Sequence, residues 1–143
     1  MNQLRVLFIC VHNSGRSQMA EAFLKASAGH KIHVESAGLT PRPVHPLVVR
    51  VMAEIGHDLS QATSDDVFEF FKDGRLYDYV ITVCDDTSDT QCPVFPGITE
   101  RLHWPFRDPS SLTGTDDEKL SDLRLIRDQI KEKVEDWAQG LLI

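Results

Sequence analysis

"FICVHNSGRSQMAE", Phe8 to Glu21, decides the fold. It begins inside an apolar run, Leu4 to Ile9 broken only by Arg5, which is short and closed by a loop as a buried parallel strand is. It then crosses a small polar loop carrying one cysteine, one glycine and one arginine. From about Ser17 it reads as a helix, with Met19, Ala20, Phe23 and Leu24 on one face and Gly29 beyond its end. Strand, loop and helix in that order begin an α/β unit.

The rest of the chain continues the alternation. Ile32 to Glu35 fits a second strand, and Pro46 suits the first turn of a helix whose stripe is Val48, Val51, Met52 and Ile55, closed by Gly56. Ser64 can cap a short helix that buries Val67, Phe70 and Phe71 and ends at Gly74. "YVITVC", Tyr79 to Cys84, is β-branched and reads as a buried strand, and Leu102 to Trp104 supplies a fourth. The last helix runs from about Asp117 to Leu141, its apolar positions Leu120, Leu123, Ile126, Ile130, Val134, Trp137 and Leu141 stepping by three and four. The expectation is one α/β domain over residues 1–143, a three-layer sandwich with helices flanking a four-stranded parallel sheet and an anion-binding loop after the first strand.

Composition narrows the class of function. A chain of 143 residues, 41% apolar and 26% charged, has the make-up of a soluble globular domain. No stretch approaches the roughly 18 apolar residues of a membrane span, and the first residues lack a secretory signal, so a cytoplasmic location and no membrane partner are expected. A net charge of −7 with scattered Lys and Arg argues against nucleic acid, which needs a basic face. Three cysteines in a reducing compartment cannot all be paired, so each is free, ligating or reactive.

In folds of this kind ligands sit beyond the carboxyl ends of the strands, where the quoted loop falls. Backbone N–H groups of Val11, His12, Asn13, Ser14, Gly15, Arg16 and Ser17, with the positive end of the helix, can converge there on one anion. The same amides, the Arg16 guanidinium and the Ser17 hydroxyl favour a charged sulfur at Cys10. Arg16 adds a planar fork that matches two oxygens of a tetrahedral oxyanion. A lone cysteine at a strand end is usually a small apolar residue and nothing more. Cysteine, five residues and arginine between a strand and a helix, with Asn13 and Gly15 inside, point instead to a nucleophile and its oxyanion clamp.

Other candidates are weaker on their residues alone. Cys84 is either a packed strand thiol or a group emerging at the sheet edge of Cys10, and Cys92, in "DDTSDTQCPVFPG", is either an incidental surface thiol or part of the chemistry. Zinc is disfavoured because Cys84 and Cys92 are eight apart and His103 stands alone. "DDTSD" lacks the glycine and closing glutamate of a calcium loop. His12 reads as a variable loop position, His103 as a packing residue beside Trp104, and Asp108 as a turn or cap residue.

The stretch around Cys10 resembles the phosphate-binding loop of the low-molecular-weight protein tyrosine phosphatase family, and more closely its arsenate reductase branch. "NSGRSQMAE" and "SAG", Ser36 to Gly38, match that branch nearly verbatim, and the similarity runs to the last helix. The resemblance implies a phosphatase-type loop with Cys10 as nucleophile, Arg16 as oxyanion ligand, Ser17 as a thiolate-stabilising hydroxyl and Asn13 as a brace for the loop. It also implies Asp108, in the Asp108-Pro109 pair, as general acid.

In the reductases that this chain resembles, Cys10 attacks arsenate, Cys84 attacks the Cys10 sulfur and releases arsenite, and Cys92 shuttles the oxidation to a Cys84–Cys92 disulfide. Thioredoxin is the implied reductant, with glutaredoxin or a low-molecular-weight thiol as alternatives. No tightly bound cofactor is implied, apart from a potassium ion at Asn13, Glu21, Ser36 and Asp65, oxygen-bearing side chains suited to a hard cation. Two positions depart from the pattern: Gly15 stands where many relatives carry a second loop cysteine, and the Cys84 to Cys92 interval is one residue longer than in thioredoxin-coupled members. The rival is a tyrosine phosphatase of the same fold, using Cys10, Arg16 and Asp108 alone. Ser110 and Ser111 follow the Asp-Pro pair where such phosphatases carry ring-stacking aromatics, which favours a small inorganic oxyanion.

Overall fold

The computed structural model of the chain describes residues 4–83, residue 97 and residues 99–141. The first strand, β1 (Leu4–Cys10), is fully apolar on both faces from Val6 onward and occupies the middle of the sheet. It pairs in parallel with β2 (Ile32–Gly38) on one side and β3 (Tyr79–Thr82) on the other, and β4 (Glu100–His103) extends the sheet beyond β3. The order β2-β1-β3-β4 reverses direction at β1, which makes the end of that strand the switch point where such sheets bind ligands.

Alternation along β1 sets the two cores. Val6, Phe8 and Cys10 point to the face covered by α1 (Arg16–Ala28), α2 (Pro46–Ala53) and α4 (Asp116–Leu141). Leu7 and Ile9 point to the other face, where they pack with Val67 and Phe70 of α3 (Val67–Lys72), Tyr77 and Val80. The three-layer α/β sandwich expected from the alternating elements is therefore the fold. The stripe of α4 is buried at Leu120, Leu123, Ile126, Ile130 and Val134. Trp137 closes its end edge-on against Tyr79 and Trp104, with ring centroids 5.1 and 5.5 Å apart. Among the described residues no helix is long and apolar enough to cross a membrane.

Several local expectations change. β2 runs on to Gly38, because Ser36, Ala37 and Gly38 are small enough to stay in register with Phe8, Ile9 and Cys10. α3 is capped by Asp66, not Ser64: the Asp66 carboxylate accepts from Phe68 N–H at 2.8 Å, while the Ser64 hydroxyl shares its one proton between the backbone oxygens of Asn13 and Arg42. In that six-residue helix Val67 and Phe70 fill the inward stripe, which leaves Phe71 exposed, and Ile55 is exposed because α2 ends before it. His103 is not a packing residue. It sits on edge strand β4 and stays exposed, with Nδ1 2.7 Å from Thr82 Oγ1, while Trp104 is buried. The strand read as Tyr79 to Cys84 is described as Tyr79–Thr82; Cys84 and Cys92 lie outside the described residues.

Candidate active site

The loop from Cys10 to Arg16 is held by its carbonyls. Leu39 N–H donates to Cys10 O at 3.2 Å, Thr40 to Val11 O at 2.7 Å, Arg42 to His12 O at 3.0 Å and His45 to Ser14 O at 2.9 Å. The Asn13 carbonyl accepts from Gln18 Nε2 and the Ser64 hydroxyl, and the Gly15 carbonyl from Met19 N–H. Six consecutive carbonyls are thus bound from outside the loop. The N–H groups of His12, Ser14 and Gly15, left on the other side, make no hydrogen bond among the described residues. A ring of inward amides at the start of a helix is a receptor for an anion.

The strap from residue 39 to 45 can lie this close only because of Gly38. A Cβ there would stand 2.8 Å from Asn13 N and from His12 C, inside any real contact. Asn13 completes the turn with φ at +51°, a left-handed conformation that asparagine tolerates better than most residues. Its buried side chain braces that conformation. Oδ1 accepts from Asp65 N–H at 2.9 Å, so Nδ2 is the donor end, giving one hydrogen to Ser17 Oγ at 2.7 Å and one to Ser36 Oγ at 3.0 Å.

These directions carry through to the sulfur. Ser36 donates its own proton to Glu21, and Ser17, already accepting from Asn13, has its proton available for Cys10 Sγ at 2.9 Å. Asn13 N–H reaches the same sulfur at 3.1 Å. Two donors on one buried sulfur at the positive end of α1 suit its anionic form.

Arg16 is buried at the start of α1, Nη1 donating to Phe106 O at 3.0 Å and Nη2 lying 3.8 Å from Asp108 Oδ2. Asp108 precedes a 3₁₀ turn, Pro109–Ser111, and its carbonyl accepts from both Ser111 N–H and Oγ–H. That turn brings Asp108 and Pro109 over the loop, where they line a narrow pocket with Cys10, His12, Ser14, Gly15, Arg16 and His45. Gly15 leaves room for this lid, since a Cβ on it would meet Pro109 Cγ at 3.3 Å.

The residues singled out for potassium also come together. Asn13, Ser36 and Glu21 are consecutive links of the hydrogen-bond chain, and Asp65 binds Asn13 through its backbone. Asp65 is exposed, yet the packing around its carboxyl, and then the charge of Glu21, push its pKa up from 3.8. Like charges gathered beside an amide oxygen and a hydroxyl are a donor set that fits a hard monovalent cation. Among the described residues no cluster of three or more His, Cys, Asp or Glu is placed to hold a metal.

Sequence reading missed Gln18, Phe106 and His45, and took Ser64 only for a helix cap. Gln18 lies within the recognised motif and is buried, but nothing in a glutamine on a helix announces that it ties Asn13 O to Thr63 O, at 3.1 and 3.0 Å. Phe106 acts through its carbonyl, which no sequence pattern reports.

A cysteine and an arginine bracketing an inward-amide loop after the first strand of a parallel sheet define a phosphatase-type oxyanion site. The family model for low molecular weight phosphotyrosine protein phosphatase matches residues 5–142, and the chain belongs to that family. Within it, the chain is similar to an arsenate reductase of Halalkalibacterium halodurans, 40% identical over 97% of this chain and 98% of that protein. A solved arsenate reductase in the oxidized state superposes with a TM-score of 0.79 at 35% identity, covering 95% of this chain and 97% of the other. A thioredoxin-dependent arsenate reductase of Corynebacterium glutamicum superposes with a TM-score of 0.62 at 33% identity, over 93% of this chain and 62% of that one.

Proposed function

We propose that this chain reduces arsenate to arsenite in the cytoplasm, with Cys10 as nucleophile. The observation that carries the reading is the Cys10 sulfur, taking hydrogen bonds from Asn13 N–H and Ser17 O–H at the mouth of an anion loop, in a chain whose near full-length relatives are arsenate reductases. Val11 to Ser17 cradle the oxyanion, Arg16 grips two of its oxygens, and Asp108 protonates the departing oxygen.

The chemistry requires two electrons, which two thiols supply. Cys10 displaces one arsenate oxygen, which leaves as water after taking up protons, to give a sulfur–arsenic bond. Cys84 then attacks the Cys10 sulfur; the sulfur–arsenic pair leaves with arsenic as arsenite, and a Cys10–Cys84 disulfide remains. Cys92 attacks Cys84, frees Cys10 and leaves a Cys84–Cys92 disulfide for an external dithiol. Thioredoxin is the reductant we favour, because the Corynebacterium relative is named for it; glutaredoxin and low-molecular-weight thiols are the alternatives. Asn13, Glu21, Ser36 and Asp65 would hold a potassium ion that offsets the two carboxylates behind the loop.

The test couples arsenate-dependent NADPH consumption to thioredoxin with its reductase, and in parallel to glutaredoxin or a small-thiol system. Single-turnover mixtures, with free thiols blocked, are read by mass spectrometry. Cys92→Ser should release one equivalent of arsenite and trap a Cys10–Cys84 disulfide, whereas Cys84→Ser should release almost none. Wild-type turnover by the Cys84 variant would remove the relay, and turnover supported by small thiols alone would remove the role of Cys92.

A further inference from the structure

We propose that His45 is a ligand of the bound oxyanion, donating a hydrogen bond from Nε2 at the mouth of the pocket. This rests on the reading of that pocket as a tetrahedral-oxyanion site, though not on arsenate reduction itself.

His45 is the N-cap of α2, in extended conformation, and its N–H ties it to the loop through Ser14 O at 2.9 Å. Pro46 brings no N–H to the first turn, so the cap serves Leu47, whose N–H donates to His45 Nδ1 at 3.1 Å. A ring nitrogen that accepts a backbone N–H carries no proton, and the proton of the ring is therefore on Nε2. That Nε2–H has no partner among the described residues, and His45 lines the pocket of Cys10, Arg16 and Asp108. The cap fixes the tautomer, and Nε2–H is left as the ring's donor on a residue that lines the anion pocket.

The second imidazole on this pocket is set the other way. His12 Nδ1 lies 3.0 Å from Thr40 O, and a carbonyl only accepts, so Nδ1 holds the proton and Nε2 of the neutral ring is an acceptor. Of the two rings, His45 is the one built to receive an anionic oxygen.

Asparagine and glutamine separate the two ends of the His45 ring. His45→Asn keeps an oxygen at the capping position and withdraws the outer donor; His45→Gln carries an amide N–H out to the Nε2 position and gives up the cap. The readout is the concentration of inorganic phosphate, and separately of arsenate, that half-protects Cys10 from iodoacetamide, alongside Tm. For H45N the half-protecting concentration should rise about fivefold or more with Tm close to wild type, the loss expected for one hydrogen bond to an anion. For H45Q protection should stay within about twofold of wild type while Tm falls, as a lost N-cap requires. Wild-type protection in H45N, or protection that merely follows Tm in both variants, would overturn the assignment. Protection needs no turnover, so a failure of the reductase reading would appear separately, as normal protection without arsenite release.

Discussion

Ser17 Oγ stands 2.9 Å from Cys10 Sγ while accepting from Asn13 Nδ2 at 2.7 Å, so the hydroxyl proton is directed at the sulfur. A hydrogen bond to a charged group contributes about 1.5–3 kcal/mol, so this donor bears on how readily the sulfur reacts as a nucleophile. Ser17→Ala should therefore slow alkylation of Cys10 at neutral pH by roughly tenfold or more, with Tm little changed because Asn13 keeps Ser36 and Asp65. An alkylation rate equal to wild type would mean that Ser17 does not hold the thiolate.

Gly38 permits the strap that bonds the loop carbonyls, and its tight neighbours are backbone atoms of His12 and Asn13. Backbone cannot swing aside as a side chain can, so Gly38→Ala must push β2 away from the loop. Its cost should exceed about 2 kcal/mol of stability, and oxyanion protection of Cys10 should be lost even where the variant stays folded. Gly56→Ala is the control, since open space surrounds that position and only its positive φ is strained. Equal behaviour of the two variants would refute the close-approach account.

The strand, loop and helix around Cys10 were legible because their chemistry is local: an apolar run, a loop of small polar residues and an amphipathic helix occupy consecutive positions. Parity along β1 likewise carries Cys10 to the face of Val6 and Phe8. What stayed hidden depends on distant pairs. Asp66 displaces Ser64 as cap because the Ser64 hydroxyl is engaged with Asn13 and Arg42, and no local pattern shows that. His45 looks like an ordinary residue before a proline until Ser14 and Leu47 fix both its place and its tautomer.

Asp65 gives the site a pH signature. Packing around its carboxyl, then Glu21, raise its pKa above 3.8, against the opposing pull of Arg75 and with Glu35 adding to the rise. A carboxyl whose folded pKa is raised binds more protons in the native state, so stability falls as pH climbs from the unfolded value through the folded one and stays lower above it. Asp65→Asn should accordingly raise Tm at pH 7 in potassium-free buffer, and the gain should vanish well below pH 4. Potassium, and not lithium, should restore the wild-type Tm towards that of the variant. Insensitivity of wild-type Tm to potassium would exclude the ion.

Glu54 behaves in the opposite sense. It follows α2 and bonds Arg124 of α4 at 2.6 and 2.9 Å and Arg127 at 2.9 Å; these bonds, Arg124 first, lower its pKa from an ordinary 4.5 to about 2. A depressed carboxyl contributes stability above its unfolded pKa and loses it as pH falls through the folded one. Glu54→Gln should lower Tm at pH 7, and the gap to wild type should narrow steadily as pH falls from about 4.5 towards 2. Because the pair is exposed, the difference should also shrink in high salt. A gap that stays constant over that range and in high salt would locate the loss in packing and not in charge.

Asp108 joins the lid to the clamp: its carboxylate lies 3.8 Å from Arg16 Nη2, and its carbonyl is fixed by Ser111. Arg16 thus lies beside the Asp108 carboxyl at the pocket, where the proposed reaction has that carboxyl hand a proton to the departing arsenate oxygen. Asp108→Asn preserves the shape and the Ser111 contacts while removing that proton. Turnover with arsenate should fall on the order of a hundredfold, the usual size of a general-acid contribution. Alkylation of Cys10 in the absence of ligand should stay near wild type, because the Ser17 and Asn13 donors are untouched. The two readouts separate the roles: a loss of turnover accompanied by an equal loss of Cys10 reactivity would make Asp108 a structural prop, and turnover within about twofold of wild type would remove it from the chemistry altogether.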